Sequence, residues 1–375
     1  MTKLVVCLDG TNQTKDQPHP TNIARIFDSL GGTQVAADHG SLEATVGQPP
    51  TIIGKYLPGV GTEGDLALKI LGNLFGDGIA EPIVRAYTFL SRNYNAGDEI
   101  YVTGFSRGAT AARALAGFVT GHGLLNPGSY NANNKNEAYL WAIAAWYAYR
   151  GGKPDFANQV RLAFIEGLLG QGPGLPKLVD ADFIKPPPIK AVGVFDTVSS
   201  LGLPHVDHNG EAVFDFSICD TTLGDQIEFG FHALAADEMR DLFAPTFWAT
   251  RDRVVQQVFP GCHSDVGGGN PNRGLSDAAL KWMFEQFTGA GLNCDAGLLN
   301  PALALAPDPL ATAQDDGATF PFKDTPRRAR AFPESATASD SIKKRWNENV
   351  EMLPATTPES YKPKGTYADG KPLLM

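Results

Sequence analysis

The chain has 375 residues with 31 basic and 41 acidic side chains, a formal net charge of −10, and a composition 43% hydrophobic and 19% charged. That hydrophobic content, with 21 Phe, 10 Tyr and 5 Trp, excludes a disordered or low-complexity protein. The acidic balance excludes the electrostatic footprint of a nucleic-acid binder and argues against simple adhesion to an anionic membrane.

No apolar stretch approaches the roughly 20 residues of a membrane-crossing helix, so no integral membrane segment is expected. The opening run Leu4–Leu8 is too short for a signal peptide and ends at Asp9-Gly10. The expectation is a protein that is cytoplasmic where it is made, with any export signal-peptide-independent. Cys7, Cys219, Cys262 and Cys294 lie far apart without a C-x-x-C pair, which predicts neither a disulfide framework nor a zinc site.

In chain order, Leu4–Leu8 reads as a buried parallel strand emptying into Asp9-Gly10-Thr11. Residues 12–60 read mostly as loop, with a helical patch at Ile23–Leu30 and a second strand at Thr51–Leu57. Apolar residues recurring at three and four from Asp77 to Asn95 predict an amphipathic helix. Glu99–Thr103 reads as a strand, Gly104-Phe-Ser106-Arg107-Gly108 as a sharp turn, and Ala109–Phe118 as a helix. Residues 126–189 change character, with helices expected at Glu137–Arg150 and Phe156–Leu169, and they read as an insertion that caps a site. Trp141, Trp146, Tyr147 and Tyr149 there are candidates to line an acyl pocket, with core packing the alternative for each.

The core resumes with a strand at Ile189–Phe195 ending in Asp196. The spacing of Phe231, Leu234, Ala235, Met239 and Leu242 predicts a helix with His232 just before it. Arg253–Phe259 reads as a strand running into a Gly-rich loop that carries His263, and Ser276–Phe287 as a helix capped by Ser276-Asp277. The tail is Pro-rich, with a short helix near Ser341–Val350. The domain reading is therefore a core of 1–125 and 190–290, the helical insertion 126–189, and a loop-rich C-terminal extension 291–375 packed on the core.

The chemistry concentrates at Gly104-x-Ser106-x-Gly108. A serine on a strand-to-helix turn is exposed at the sheet's edge, the flanking glycines avoid clashes, and the helix dipole faces developing negative charge. His263 as base and Asp196 as orienting acid follow Ser106 in the order Ser, Asp, His, each at the carboxyl end of a strand. Asp265, two residues from His263, is the alternative acid. The N–H of Arg107, together with that of Gly10 (or Thr11), is the candidate oxyanion hole, with Asp9 bracing the second loop. Gly267–Gly269 lacks the following Lys-Ser/Thr of a nucleotide loop, and no clustered ligands suggest a metal, so no cofactor is expected.

Longer motifs carry a resemblance. Gly97-Asp-Glu-Ile100 through Gly104-Phe-Ser-Arg-Gly-Ala109 with Ala112-Arg113, then Val194-Phe-Asp-Thr-Val198, Phe231-His-Ala-Leu-Ala235 and Phe259-Pro-Gly-x-His263-Ser-Asp-Val-Gly-Gly268 resemble the type VI secretion phospholipase-effector α/β-hydrolases. That group was first catalogued as a domain of unknown function. Leu8–Thr11 and Tyr56-Leu-Pro-Gly-x-Gly-Thr62 fit as well.

The resemblance implies an α/β-hydrolase with a mostly parallel sheet flanked by helices, and a Ser106–Asp196–His263 triad acting on acyl esters of phospholipids. It also implies an immunity or secretion-machinery partner. An esterase on a soluble or polymeric ester, or a catalytically silent hydrolase-fold binding module, are the alternatives.

Overall fold

The computed structural model describes residues 1–59, 79–150, 175–198, 221–293, 304–318, 323 and 325–374. The expected helix Phe156–Leu169, the Gly61-Thr62 turn, and Cys219 and Cys294 lie outside the described residues. The chain is mixed α/β, with a large, mostly parallel sheet flanked by helices.

The sheet strands, numbered along the chain, are β1 (Lys3–Leu8), β2 (Thr33–Ala36), β3 (Leu42–Val46), β4 (Ile52–Leu57), β5 (Glu99–Phe105), β6 (Ile189–Phe195), β7 (Ile227–Ala235), β8 (Val254–Phe259) and β9 (Ala336–Ala338). Their order is β9-β8-β7-β6-β5-β1-β4-β3-β2. All pair in parallel except β2 with β3 and β3 with β4. The helices are α1 (Asn22–Ser29), α2 (Ala80–Asn93), α3 (Arg107–His122), α4 (Lys135–Tyr149), α5 (His263–Gly267), α6 (Gly274–Gly289) and α7 (Asp340–Arg345).

Strand alternation sorts the side chains to two faces. Leu4, Val6 and Leu8 of β1, with Ile100 and Val102 of β5, pack into one core with α2, α3 and α4. Val5 and Cys7, with Tyr101 and Phe105, turn to the other core with α1 and α6. On that second face Gly193 of β6 is needed for space, since a Cβ there would lie 2.5 Å from Phe287 Cζ and 2.6 Å from Met283 Sδ. Both faces are covered, so the central strands are apolar throughout.

Five expectations change. Residues 227–235, read partly as helix, form β7. Phe231 and Ala235 do sit four apart, but Phe231, Ala233 and Ala235 fill one core and Leu234 another, which is the pattern of a strand buried on both sides. The stretch read as loop holds β2 and β3, short strands, β2 mostly exposed and β3 half-buried, that give little periodic signal.

His263 does not lie in a loop but opens the one-turn helix α5. Helix α6 starts at Gly274 rather than at a Ser276 cap, because Asp277 is inside the first turn and pairs with the buried Arg25 of α1. The helix expected near Ser341–Val350 shortens to α7, capped by Ser339 Oγ accepting from Ile342 N (3.3 Å), and Asn349–Leu353 is a strand.

Three of the insertion's aromatics pack against other rings. Trp146 and Tyr149 sit on Phe118 of α3, with ring centroids 5.2 and 5.1 Å away, and Trp141 stacks on Tyr130 at 5.4 Å. Among the described residues no helix is long and apolar enough to cross a membrane, and Cys7 and Cys262 are buried.

Candidate active site

Parallel strands bring their carboxyl ends to one edge of the sheet, and the three candidate residues gather there. Ser106 follows β5 directly with φ 58° and ψ −124°, a left-handed conformation that costs a non-glycine residue energy. The turn is pinned on both sides: Ser106 N donates to Phe195 O at the end of β6 (3.1 Å), and Val198 N donates to Ser106 O (3.4 Å). Gly104 and Gly108 permit the tight crossing, since a Cβ on Gly108 would sit 2.3 Å from Leu8 O. Arg107 opens α3, so its N–H stands in a first turn that has no preceding helical carbonyl.

Asp196 directly follows β6, also at positive φ (41°), and is fully buried. Its Oδ2 lies 2.6 Å from His263 Nδ1, and its Oδ1 accepts from Ala235 N (3.0 Å). Arg330 adds a forked contact, Nη1 to Oδ1 at 2.6 Å and Nη2 to Oδ2 at 2.9 Å. Burial alone would raise the Asp196 carboxyl, but the Arg330 charge and the His263 hydrogen bond outweigh it, holding the group well below the usual carboxylate range.

His263 is wedged between the rings of Phe105 and Phe243, at centroid distances of 4.6 and 5.0 Å, and its backbone N–H donates to Glu238 Oε2 (3.2 Å). Its Nε2 is buried with no hydrogen-bond partner among the described residues. The structure thus joins Asp196 to His263 and seats the imidazole on Phe105, the neighbour of Ser106. No hydrogen bond links the Ser106 hydroxyl to the ring.

Asp265 does not face the imidazole: it accepts from Cys262 N (3.1 Å), Gln314 N (2.8 Å) and Asn270 Nδ2 (2.8 Å). Burial pushes its carboxyl up to about 7 against those bonds. The fold therefore holds a proton that the unfolded chain releases near pH 3.8, so stability falls as pH rises from about 4 to about 7 and stays lowered above that.

Asp265→Asn should remove this dependence, its carbonyl serving the two N–H groups and its amide facing a flipped Asn270. Between pH 5 and 8 the native chain is expected to lose about 2–3 kcal/mol more than the variant. Parallel urea unfolding midpoints at the two pH values would contradict this.

The loop after β1 departs from expectation. Gly10 N–H donates to Asp9 Oδ1 (2.7 Å), so this donor is already engaged. Asp9 does brace the loop, with Oδ2 accepting from Thr21 Oγ1 and Tyr56 OH, each at 2.7 Å. Burial pushes its carboxyl up to about 6. Thr11 is tied to the turn by its hydroxyl, which accepts from Arg107 Nε.

Two partners of the site were not among the candidate site residues. His232, in β7, accepts Thr197 N–H at Nε2 (3.1 Å) and meets Gln256 Oε1 at Nδ1 (3.3 Å), which steadies the backbone just after Asp196. Burial pushes its imidazole down to about 3, so it works as a neutral group. The only signal for it was an isolated histidine in an apolar run. Arg330 had none: it lies 134 residues from Asp196 in a segment read as a Pro-rich tail.

Among the described residues one group has metal-ligand spacing, Glu238, Cys262 and Asp316. The Arg240 guanidinium already serves as its cation, 2.7 Å from Glu238 Oε2 and 3.4 Å from Asp316 Oδ2.

A family model described as "T6SS, Phospholipase effector Tle1-like, catalytic domain" matches residues 2–286. The chain belongs to this family. The Tle1-like catalytic-domain family is one of phospholipase effectors, and its match takes in the Ser106, Asp196 and His263 positions but ends before Arg330.

Uncharacterized protein YEL023C of Saccharomyces cerevisiae is 30% identical over 138 residues, 33% of this chain and 18% of that protein. A crystal structure of an uncharacterized protein from Pseudomonas aeruginosa aligns at 18% identity, covering 81% of this chain and 48% of that one, with a TM-score of 0.42. The structure of the Tle1 effector bound to the VgrG spike from the type 6 secretion system aligns at 20% identity, covering 72% and 52%, with a TM-score of 0.39. The chain spans about half the length of these two structures and under a fifth of the yeast protein.

Proposed function

We propose that the chain is an α/β-hydrolase that cleaves acyl esters of phospholipids through an acyl-enzyme, with Ser106 as nucleophile, His263 as base and Asp196 as the acid that orients it. The observation that carries this is the 2.6 Å Asp196–His263 contact beside a serine held at positive φ between β5 and α3. Family membership supports a phospholipid substrate.

In this scheme His263 Nε2 takes the Ser106 Oγ proton as Oγ bonds to the ester carbonyl carbon, and the carbonyl π electrons move to oxygen. Collapse expels the lysolipid alkoxide, which takes the proton back from His263. Water, deprotonated by the same nitrogen, then frees the fatty acid and restores Ser106. Asp196 accepts from Nδ1–H throughout, fixing the tautomer and stabilising the imidazolium. The hydrogen bond from Ser106 Oγ to Nε2 belongs to the substrate-bound state, since such bonds are often long before substrate binds.

The oxyanion is held by the N–H groups of Arg107 and Thr11, the latter in place of the engaged Gly10. Residues 1–125 and 190–290 form the catalytic core, and the segment 126–189 caps it. The protein acts as a type VI secretion effector and leaves the cell on a spike component of the kind bound by the Tle1 effector.

The test is release of fatty acid from phospholipid in mixed micelles, beside a short-chain soluble ester and a polymeric ester. Micellar phospholipid is expected to be turned over at least about tenfold faster per active site than the soluble ester. Turnover of soluble or polymeric ester alone would move the substrate away from lipid, and no turnover of any ester would leave a silent binding module.

A further inference from the structure

We propose that Arg330, outside the residues shared with the family model, is a positioning residue that clamps the Asp196 carboxylate and holds it on His263. This rests on the serine-hydrolase reading of the site and adds a part to it from the C-terminal segment.

The geometry is that of a fork on a carboxylate. Nη1 and Nη2 bond the two oxygens of Asp196 separately, at 2.6 and 2.9 Å, and each nitrogen also donates to a carbonyl, Ala235 O (2.8 Å) and Phe243 O (2.7 Å). Two anchored donors stop the carboxylate rotating about its Cβ–Cγ bond and leave Oδ2 aimed at His263 Nδ1. Both groups are buried, with Asp196 at 0% and Arg330 at 6% exposure, so the pair is shielded from solvent screening.

The backbone that delivers Arg330 is secured without its side chain. Arg328 N donates to Met239 O (2.7 Å), Thr366 N donates to Arg330 O (3.0 Å), and Ala331–Phe332 pairs in parallel with Thr366–Tyr367. An altered side chain at 330 therefore leaves the segment docked.

The clamp also sets charge. Asp196 faces the cation of Arg330 as well as His263, while Glu238, which accepts the backbone N–H of His263, is balanced by Arg240. Neutral His232 accepts the Thr197 N–H, and Asp265 and Asp316 contact Cys262. Removing Arg330 leaves the Asp196 charge acting on the imidazole alone and also eases protonation of Asp196. Both effects move the acidic limb of the kcat/KM profile to higher pH.

The experiment measures kcat, KM and the pH profile of ester hydrolysis for the full chain and for Arg330→Ala and Arg330→Lys, with and without added guanidinium ion. Ser106→Ala is assayed first, so that residual activity there overturns the hydrolase reading itself and is not confused with a result at 330. Arg330→Ala is expected to lower kcat about a hundredfold with KM within about threefold. Its acidic limb should rise by about one pH unit, and guanidinium should restore at least about tenfold of the lost rate.

Arg330→Lys, which keeps the charge and loses the fork, should keep the limb in place with about tenfold lower kcat. A native kcat in Arg330→Ala overturns the proposal, as does a low kcat with an unmoved limb and no response to guanidinium. If Arg330→Ala does not fold, Arg330→Lys decides, and native kcat there overturns the fork.

Discussion

Replacing Ser106 by alanine is expected to lower kcat for ester hydrolysis by about four orders of magnitude or more while leaving folding stability within about 0.5 kcal/mol. The two halves of this expectation have separate causes. Under the proposed mechanism activity is lost because Oγ is the atom that bonds to the acyl carbon, and neither His263 nor the oxyanion donors can replace it.

Stability is kept because the Ser106 side chain makes no capping bond to α3, and alanine meets the same backbone cost at φ 58° as serine. The turn is held instead by backbone hydrogen bonds to Phe195 and from Val198. Initial rates of fatty-acid release and urea unfolding check the pair. Activity within tenfold of native in Ser106→Ala would remove the serine from the reaction.

The second large effect is on the fold. Gly104→Ala is expected to destabilise the chain by about 3 kcal/mol or more and to abolish activity in the protein that remains. A Cβ at 104 would lie 2.3 Å from Gly108 O, 2.6 Å from Gly108 C and 2.8 Å from Ala109 N. All three are backbone atoms in the first turn of α3. That helix is buried against the sheet, so it cannot yield as a flexible side chain would.

Relief comes only by moving α3, and with it Ser106 and the Arg107 N–H. Gly289→Ala is the control: it lies on the exposed end of α6 with nothing within 4 Å, and should be neutral or slightly stabilising. Equal urea midpoints for the two variants would contradict the close packing of the turn.

What could be read from the chain follows local signals. The β5–turn–α3 unit was legible because a short apolar run, two glycines at the crossing and helical spacing all fall within about twenty residues. Asp196 and His263 were legible as chemistry, since each follows an apolar strand, and parallel strands put their ends on one edge. Strand β7 was misread because burial on both faces erases the alternation that separates strand from helix, and Phe231 and Ala235 then imitate a helical step.

The Gly10 N–H was assigned by loop position, but Asp9, one residue away, reaches it first. Arg330 could not be found, since nothing local marks an arginine that pairs with a carboxylate 134 residues earlier. Pairings of that kind exist only once the sheet has assembled.

The measurement closest to the central claim is labelling of the full chain with a fluorophosphonate, which reacts with a serine only when a neighbouring base activates it. The expected result is one equivalent of label on Ser106, located by peptide mass spectrometry and absent from both Ser106→Ala and His263→Ala. No label on Ser106, under conditions in which another serine hydrolase is labelled to completion, would contradict an activated nucleophile at this turn.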